Sequence, residues 1–509
     1  MKECHLRYCD HDHVRSVQLD NLAPAVHSVS RRTFVQQTAL LAAGIHAIPD
    51  LTNGLRSVTS PKLQGRQLDP ARVKRLTASL KGRVISPHDA DYASSRVVFN
   101  RAFDKHPALI IRCASVDDIP RTIEFARTNE LPLSVRSGGH NRAGMSICDD
   151  GVVLDMGSLS RIDVDAKHRT ASAQGGALTV QLDAATRNFG LATTAAGCPT
   201  VGLAGLTLGG GLGFLMSKYG TACDNLLSAD ILTADGRLHT VSHDVNPDLF
   251  WAIRGGGGNF GIATALTYRL HPLTDVLGGV LVYAPGRTEM MLHAFAKFCA
   301  TAPDEMTVVG ILSRSEAGTQ FQMIVCHAGE EKRGSELLAS WRALGPIKDS
   351  VRMAPYAVIQ GTVNPAAPAA HFQTNLFLPG LGDAEISSVA QAIDHAPMNV
   401  RAFIVPYYGA ISRVGVRDTA FPLRETGFEM DLMSRWTTPA ERPAGEAWVR
   451  ALRQALRPYA HGTYVNQLGE TSEELVRQAY GVNYARLAKL KRKYDPGNLF
   501  RSNQNVMPG

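Results

Sequence analysis

No stretch of 18 or more apolar residues occurs in this chain of 509 residues, so no membrane-spanning helix is expected once an N-terminal signal is set aside. Its eight cysteines form neither a C-x-x-C pair nor a zinc-binding spacing, so no metal site is expected and no disulfide is demanded. The net charge of +7 is modest for the length, and the basic residues are scattered. No block of interleaved arginine, lysine and aromatic residues marks a nucleic-acid groove, which argues against nucleic acid as a partner. A clean A-x-A processing site is lacking around Ala43 to Ala47, so no cleavage position follows from the sequence.

What is present in quantity is glycine, at 46 residues, and it is concentrated. Between Leu191 and Gly220 runs LATTAAGCPTVGLAGLTLGGGLGFLMSKYG, with seven glycines from Gly197 to Gly213. Glycine at that density suits a backbone lying flat against a large ligand, because no Cβ holds it away. Cys198 sits between Gly197 and Pro199, which suggests a rigid exposed bend; the alternative is an ordinary core cysteine. Upstream, RSGGH (Arg136 to His140) follows the strand-like LPLSV. A tight turn of glycines presents N–H groups that cradle an anion such as pyrophosphate, with Arg136 adding charge and His140 standing at the cofactor.

At this length at least two domains are expected, and 44% hydrophobic residues suffice for their cores. Residues 1–50 comprise a polar, histidine-rich stretch and then Ser30-Arg31-Arg32-Thr33-Phe34-Val35 followed by TALLAAGIHAI, which looks like a twin-arginine export signal; the alternative is a basic helix start. ALIIRC and GVVLDM read as strands, VDDIPRTIEFARTNEL and LTVQLDAATRNFG as helices, and ADILTADGRLHTV as a hairpin turning at Asp235-Gly236. Gly256, Gly258 and Gly261 satisfy G-x-G-x-x-G, but a helix-like segment precedes them and the strand-like IATALTYRL follows, the reverse of a Rossmann context. Near His271-Pro272 the glycine pattern ends. Residues 276–463 then hold strand candidates (GGVLVYAP, MTVVGILS, FQMIVCHA, FQTNLFL, RAFIVPYYGA, FEMDLMSRW) separated by helices, which fits one antiparallel sheet backed by helices with a substrate-binding role. The fold class is therefore α+β.

These pieces, with DLFWAIRGGGGNFGIAT (Asp248 to Thr264) and NYARLAKLKRKYDPGNLFRSNQNV (Asn483 to Val506), resemble the berberine bridge enzyme-like branch of the vanillyl-alcohol-oxidase flavoproteins over about Tyr92 to Asn505. The resemblance implies a PCMH-type FAD-binding domain of two α+β subdomains at 86–275, the substrate domain at 276–463, and a segment at 464–509 that returns to the FAD domain. It implies FAD attached covalently twice, through His140 to the flavin 8α-methyl and through Cys198 to flavin C6. The remaining cofactor-binding residues it implies are Ser137, Gly138, Gly139, Asn141, Gly197, Thr200, Val201, Gly202, Gly205, Gly209, Gly210, Asn225, Gly261, Ile262, Asn503 and Asn505. For Asn503, Gln504 and Asn505, closing the fold is the favoured reading over hydrogen-bonding the flavin. Folded, cofactor-loaded proteins are what the twin-arginine route carries, so export to the periplasm or beyond agrees with a bonded flavin.

In the same family the residue three positions after the attached cysteine gates oxygen, and Val201 there implies an oxidase, with O2 as acceptor and peroxide as product. Taken alone, a valine that merely packs behind the loop is as good a reading. The substrate would be a small molecule with an oxidisable C–H bond: an alcohol, a sugar or a secondary metabolite. Glu429, on the alternating FEMDLMSRW strand, is a candidate base if it faces inward, since burial raises a carboxyl pKa; it could equally face solvent. Tyr464 begins Y-V-N-Q where many relatives carry Y-x-N-Y with the second tyrosine as base. Gln467 at that place takes no proton, which leaves Glu429, Tyr219 or an acidic group of the substrate. Tyr219 could also be a packed loop residue. Tyr408 replaces a family glycine and would narrow the substrate cleft. The rival readings are a dehydrogenase that reduces a quinone or partner protein, and a flavin-binding protein without turnover.

Overall fold

The computed structural model describes residues 68–361 and 369–509; the twin-arginine segment lies outside the described residues. Described residues belong to one compact unit, Leu63–Gly509, built from three main sheets. The first has the order Arg83–Ile85, Leu109–Arg112, Val152–Asp155, Leu133–Arg136, with the last three strands parallel. The helix Asp118–Thr128 makes the crossover between two of these strands, burying Ile119, Ile123, Phe125 and Ala126 at the spacing read from the sequence.

The second sheet runs Ile162–Asp165, Thr170–Gln174, Ile262–Arg269, Leu226–Leu232, Leu238–Ser242, antiparallel throughout. Its expected hairpin is present, with Gly236 at φ +80°, the left-handed region a D-G turn needs. This strand order, with the helix Pro247–Ile253 ahead of the glycines and a strand after them, confirms that G-x-G-x-x-G does not open a Rossmann unit here.

The third sheet takes its strands from the region read as substrate-binding. In order they are Lys348–Asp349, Asp275–Val282, Gly318–His327, Met306–Ser315, Val400–Tyr407, Gly427–Trp436 and Ala370–Leu378, with Arg352–Pro355 added beside Asp275–Val282. Along Val400–Tyr407, residues 400, 402 and 404 are buried while 401 is exposed and 403 and 405 are partly exposed. The buried set packs with residues of the helices Thr288–Cys299, Asp383–Asp394 and Arg442–Leu456, and the other set faces a cavity shared with the glycine-rich loops.

Tyr408 goes to the helical side: it is buried and its hydroxyl donates to Met306 O at 2.6 Å. The expected narrowing of the cleft by Tyr408 is therefore corrected, because position 408 reverses the side on which position 407 points. The C-terminal segment packs against the glycine-rich stretch around Asn259. Lys491 and Asp495 form a fully buried pair at 2.7 Å, and Lys491 Nζ also donates to the carbonyls of Asn259 and Phe500 at 2.8 Å. Val506 N–H closes the segment onto Asn259 Oδ1 at 2.9 Å.

Candidate functional site

The strand Leu133–Arg136 ends at the RSGGH turn, and this turn is pressed against the loop that carries Cys198. A Cβ on Gly138 would lie 2.4 Å from Gly202 N, and one on Gly202 would lie 2.3 Å from Ser137 Oγ. Only glycine permits that approach of two backbones. The cysteine loop is held by the start of the helix Thr179–Arg187, whose unpaired first-turn N–H groups bond outside it: Thr179 donates to Val201 O at 2.9 Å and Val180 to Pro199 O at 3.0 Å.

Together the turn and the loop bring His140 and Cys198 onto one residue. His140 Nε2 lies 2.9 Å from Thr200 Oγ1, and Cys198 Sγ lies 3.6 Å from the same oxygen. Both side chains line a cavity of about 570 Å³ between the glycine-rich loops and the third sheet. His140 stacks on Phe99 with ring centroids 4.0 Å apart. Burial, helped by Arg142 and His371, pushes its pKa down to about 3, so the imidazole is neutral. Among the described cysteines, five are buried and only Cys198 lines the cavity. Burial pushes the thiols of Cys113, Cys223 and Cys326 up to about 12.

The walls leave room for a large planar cofactor. Gly205 has no atom within 4 Å of where a Cβ would stand, and Gly258 meets only Asn503 Nδ2 at 3.9 Å. Ser137 Oγ, Asn503 Oδ1 and Gln504 Oε1 are buried at this cavity with no partner of their own, which is what a ligand bearing hydrogen-bonding groups satisfies. Of the residues named above as cofactor contacts, Ser137, Gly138, Gly139, Asn141, Gly197, Val201, Gly202, Gly205, Gly261, Ile262 and Asn503 line this cavity. Gly257 and Gly258 join them from the G-x-G-x-x-G stretch.

Other expected site residues lie elsewhere. Arg136 is buried against Asp155 at 2.7 Å, its partner across the parallel strands, so its charge is neutralised there and does not reach the cavity. Asn225 acts as a clamp: its amide donates to the carbonyls of Tyr219 and Thr221 at 2.9 Å, and its Oδ1 meets His271 Nε2 at 2.7 Å. Tyr219 stacks on His271 at 3.8 Å, away from the cavity, which removes it as a base. Gly209 and Gly210 pack against Asn466 and Phe421. Thr200 touches both His140 and Cys198, while Asn505 Nδ2 reaches Met507 Sδ at 3.3 Å.

The opposite wall is the third sheet, and its alternation carries the acid–base groups. Glu429 is fully buried and faces the cavity, which settles its orientation inward. Two residues along, on the same face, is Asp431, which the sequence reading missed although E-x-D on an alternating strand is the signal for it. Burial raises both carboxyls, Glu429 well above its ordinary range with the Asp431 charge adding to the effect, and Asp431 to about 7. Arg142 and hydrogen bonds from Glu429 and Gln373 restrain the rise at Asp431. Tyr407 donates to Glu429 Oε2 at 3.0 Å. The pair therefore shares a proton at neutral pH, with Glu429 keeping it and Asp431 near its midpoint.

Gln467 is a junction: its Oε1 accepts from Arg142 Nε at 3.1 Å and from Gln373 Nε2 at 2.8 Å. Two further cavity residues, Arg142 and His371, were not singled out from the sequence. Asn100 joins them, donating to Arg142 O at 3.1 Å and to His371 O at 3.0 Å. No local pattern marks such residues, since their partners lie up to 325 positions away.

Tyr464 is buried, and its hydroxyl accepts from Gly211 N–H at 3.0 Å and Asn466 Nδ2 at 2.9 Å. Burial pushes its pKa above the ordinary tyrosine value, so the hydroxyl is a poor base. Tyr464→Phe leaves the buried Gly211 N–H unmet and removes one of the two acceptors of Asn466 Nδ2, which costs about 1–3 kcal/mol. Thermal unfolding is expected to show that loss, while the rate of flavin reduction stays within about tenfold, below the smallest usual contribution of a general base.

The fold and cavity define an FAD-binding oxidoreductase. Residues 107–242 match the FAD binding domain family and residues 463–507 match the "Berberine and berberine like" family. The chain is 31% identical to (R)-6-hydroxynicotine oxidase of Paenarthrobacter nicotinovorans over 84% of this chain and 97% of that protein. The crystal structure of 6-hydroxy-D-nicotine oxidase from Arthrobacter nicotinovorans superposes with a TM-score of 0.79 at 28% identity, covering 85% of this chain and 99% of the other. Berberine bridge enzyme from Eschscholzia californica shares the fold, with a TM-score of 0.78 at 22% identity over 86% of this chain and 99% of the other. The chain belongs to the berberine bridge enzyme-like family of FAD-linked oxidoreductases.

Among the described residues, no helix is long and apolar enough to cross a membrane, and no cluster of His, Cys, Asp or Glu could hold a metal ion.

Proposed function

We propose that this chain is an exported oxidase whose FAD is bonded to both His140 and Cys198, and that it oxidises a C–H bond of a small molecule with O2 as acceptor. The observation that carries this reading is the shared contact of the imidazole and the thiol with the Thr200 hydroxyl. The bonds expected, to the 8α-methyl and to C6, both fall on the benzenoid ring of the flavin, and two side chains that meet at one residue suit that ring. Bound FAD supplies the hydride acceptor.

This chain's residues do the remaining work. Asp431, as the carboxylate, takes the proton of the group being oxidised; burial raises the pKa at which it does so, and Arg142 and Glu429 restrain the rise. His371, neutral because burial pushes its pKa down to about 3, faces the same space with Nε2 unpartnered and orients a polar substrate group. Val201 lines the cavity beside Cys198, where a small branched side chain leaves room for O2. The name of the P. nicotinovorans relative, an oxidase, supports the same acceptor. The paired Arg31 and Arg32 support export by the twin-arginine route.

The test is reoxidation. Enzyme reduced anaerobically and mixed with air is expected to recover its oxidised flavin spectrum rapidly, and Val201→Leu is expected to slow that recovery. Slow recovery of the wild type in air, with fast recovery by a soluble quinone, would make the protein a dehydrogenase.

A further inference from the structure

Arg142 enters the cavity two residues beyond His140, and its guanidinium is fixed there along one side only. Nε donates to Gln467 Oε1 at 3.1 Å, and the guanidinium carbon lies 5.9 Å from the Phe99 ring centroid. Among the described residues the two terminal amino groups meet no acceptor, and no carboxylate forms an ion pair with Arg142. Burial lowers its pKa, and of the charges around it Asp431 acts most strongly. Glu429 and Asp431 are the only acids among the described residues that line the cavity. With Glu429 protonated and Asp431 near its midpoint at neutral pH, the two together fall short of balancing one guanidinium.

The neighbouring histidine neither competes with this cation nor adds to it. His371 Nδ1 lies 3.0 Å from Ala369 O, a carbonyl that only accepts, so Nδ1 carries the proton and Nε2 is a bare lone pair. Nε2 is buried without a partner, and it takes a donor, not an anion. The cofactor leaves the cation unmatched as well: the benzenoid ring that His140 is proposed to hold is uncharged, and the phosphates are at the other end of FAD. A guanidinium withdrawn from water without a counter-ion is stabilised by an anion that meets its free amino groups.

We infer that the terminal amino groups of Arg142 bind a carboxylate of the substrate. This rests on the proposed oxidase site, which puts the group being oxidised at Asp431, and it names the substrate class that site takes: an acid whose carboxylate is a few bonds from the oxidised carbon. The short spacing follows from the side chains that join cation and base. Gln467 Oε1 accepts from Arg142 Nε and from Gln373 Nε2 at 2.8 Å, and Gln373 in turn hydrogen-bonds Asp431. With Nε held by Gln467, the fork of the two terminal nitrogens is left for a carboxylate, which it matches with two parallel bonds.

Binding to the oxidised, flavin-loaded enzyme, read from the flavin difference spectrum without turnover, tests this. The probes are benzoate and phenylacetate, each beside its neutral amide. At least one acid is expected to bind about ten- to a hundredfold more tightly than its amide, as charged hydrogen bonds allow. Arg142→Gln is expected to abolish most of that preference, and Arg142→Lys, which keeps the charge and loses the fork, to retain part of it. Arg401→Gln removes an equal charge from an exposed residue of the same cavity and is expected to leave the preference in place.

Equal affinity of each acid and its amide, no spectral response to either acid, a preference unchanged in Arg142→Gln, or one lost equally in Arg401→Gln would overturn the inference. Should Arg142→Gln not load flavin, wild type and Arg401→Gln decide: a preference present in both supports the subsite, and one absent from the first or lost in the second refutes it. Because neither turnover nor oxygen is involved, slow reoxidation in air would refute the oxidase and leave this result standing, and the converse holds.

Discussion

Replacing both His140 and Cys198 by alanine releases the flavin. Acid-precipitated wild-type protein should keep its yellow colour and the added mass of FAD, each single variant should keep both through the remaining bond, and the double variant should leave the flavin in the supernatant. The expectation follows from geometry: each nucleophile reaches the same wall of one cavity, through separate loops that the Gly138–Gly202 contact locks together. The imidazole is neutral and so has a lone pair to give. Flavin retained covalently by the double variant would end the attachment proposal. Cys113, Cys148, Cys223, Cys299 and Cys326 are buried, and no other described cysteine lines this cavity.

Asp431→Asn should lower the rate of flavin reduction by about 10²- to 10⁴-fold, the usual contribution of a positioned base. The sign of the pH dependence is fixed by which form works. Asp431 acts as the carboxylate, and burial raises its pKa to about 7, so activity rises as pH increases through about 7 and falls about tenfold per unit below it. Asp431→Asn should remove that limb. Glu429→Gln is the control: Glu429 keeps its proton and donates, a role glutamine's amide repeats, so the loss should be much smaller and the limb retained. A pH profile of Asp431→Asn identical to wild type would transfer the base elsewhere. Tyr464, whose hydroxyl is occupied as an acceptor, is not the alternative.

Local pattern and tertiary placement divided the site between them. Helices and strands were legible because their burial repeats at 3.6 or 2 residues, as in Asp118–Thr128 and Gly427–Trp436. One element was not: within the glycine-rich stretch, Leu203–Leu208 forms a short helix, because Leu203, Ala204 and Leu208 are buried in the core beneath the loop. The turn residues His140 and Cys198 were legible for a different reason, since glycine and proline beside a reactive side chain restrict what the backbone can do. Arg136 and Asn225 were read as cofactor ligands from position alone, and each proved to have a nearer partner, Asp155 and His271. Charge and hydrogen-bonding groups go to whatever lies closest in space, which position in the chain does not reveal.

By itself the sequence determined the family and the α+β class and singled out His140 and Cys198, because these depend on short-range backbone constraints and on motifs contiguous in the chain. Only the tertiary structure decided that Glu429 faces inward, that Asp431 lies beside it with Arg142 opposite, and that Tyr219 and Tyr408 face away. The physical reason is that a side chain's protonation and role are set by its neighbours. For Asp431 those neighbours, Gln373 and Arg142, come from another strand and another half of the molecule.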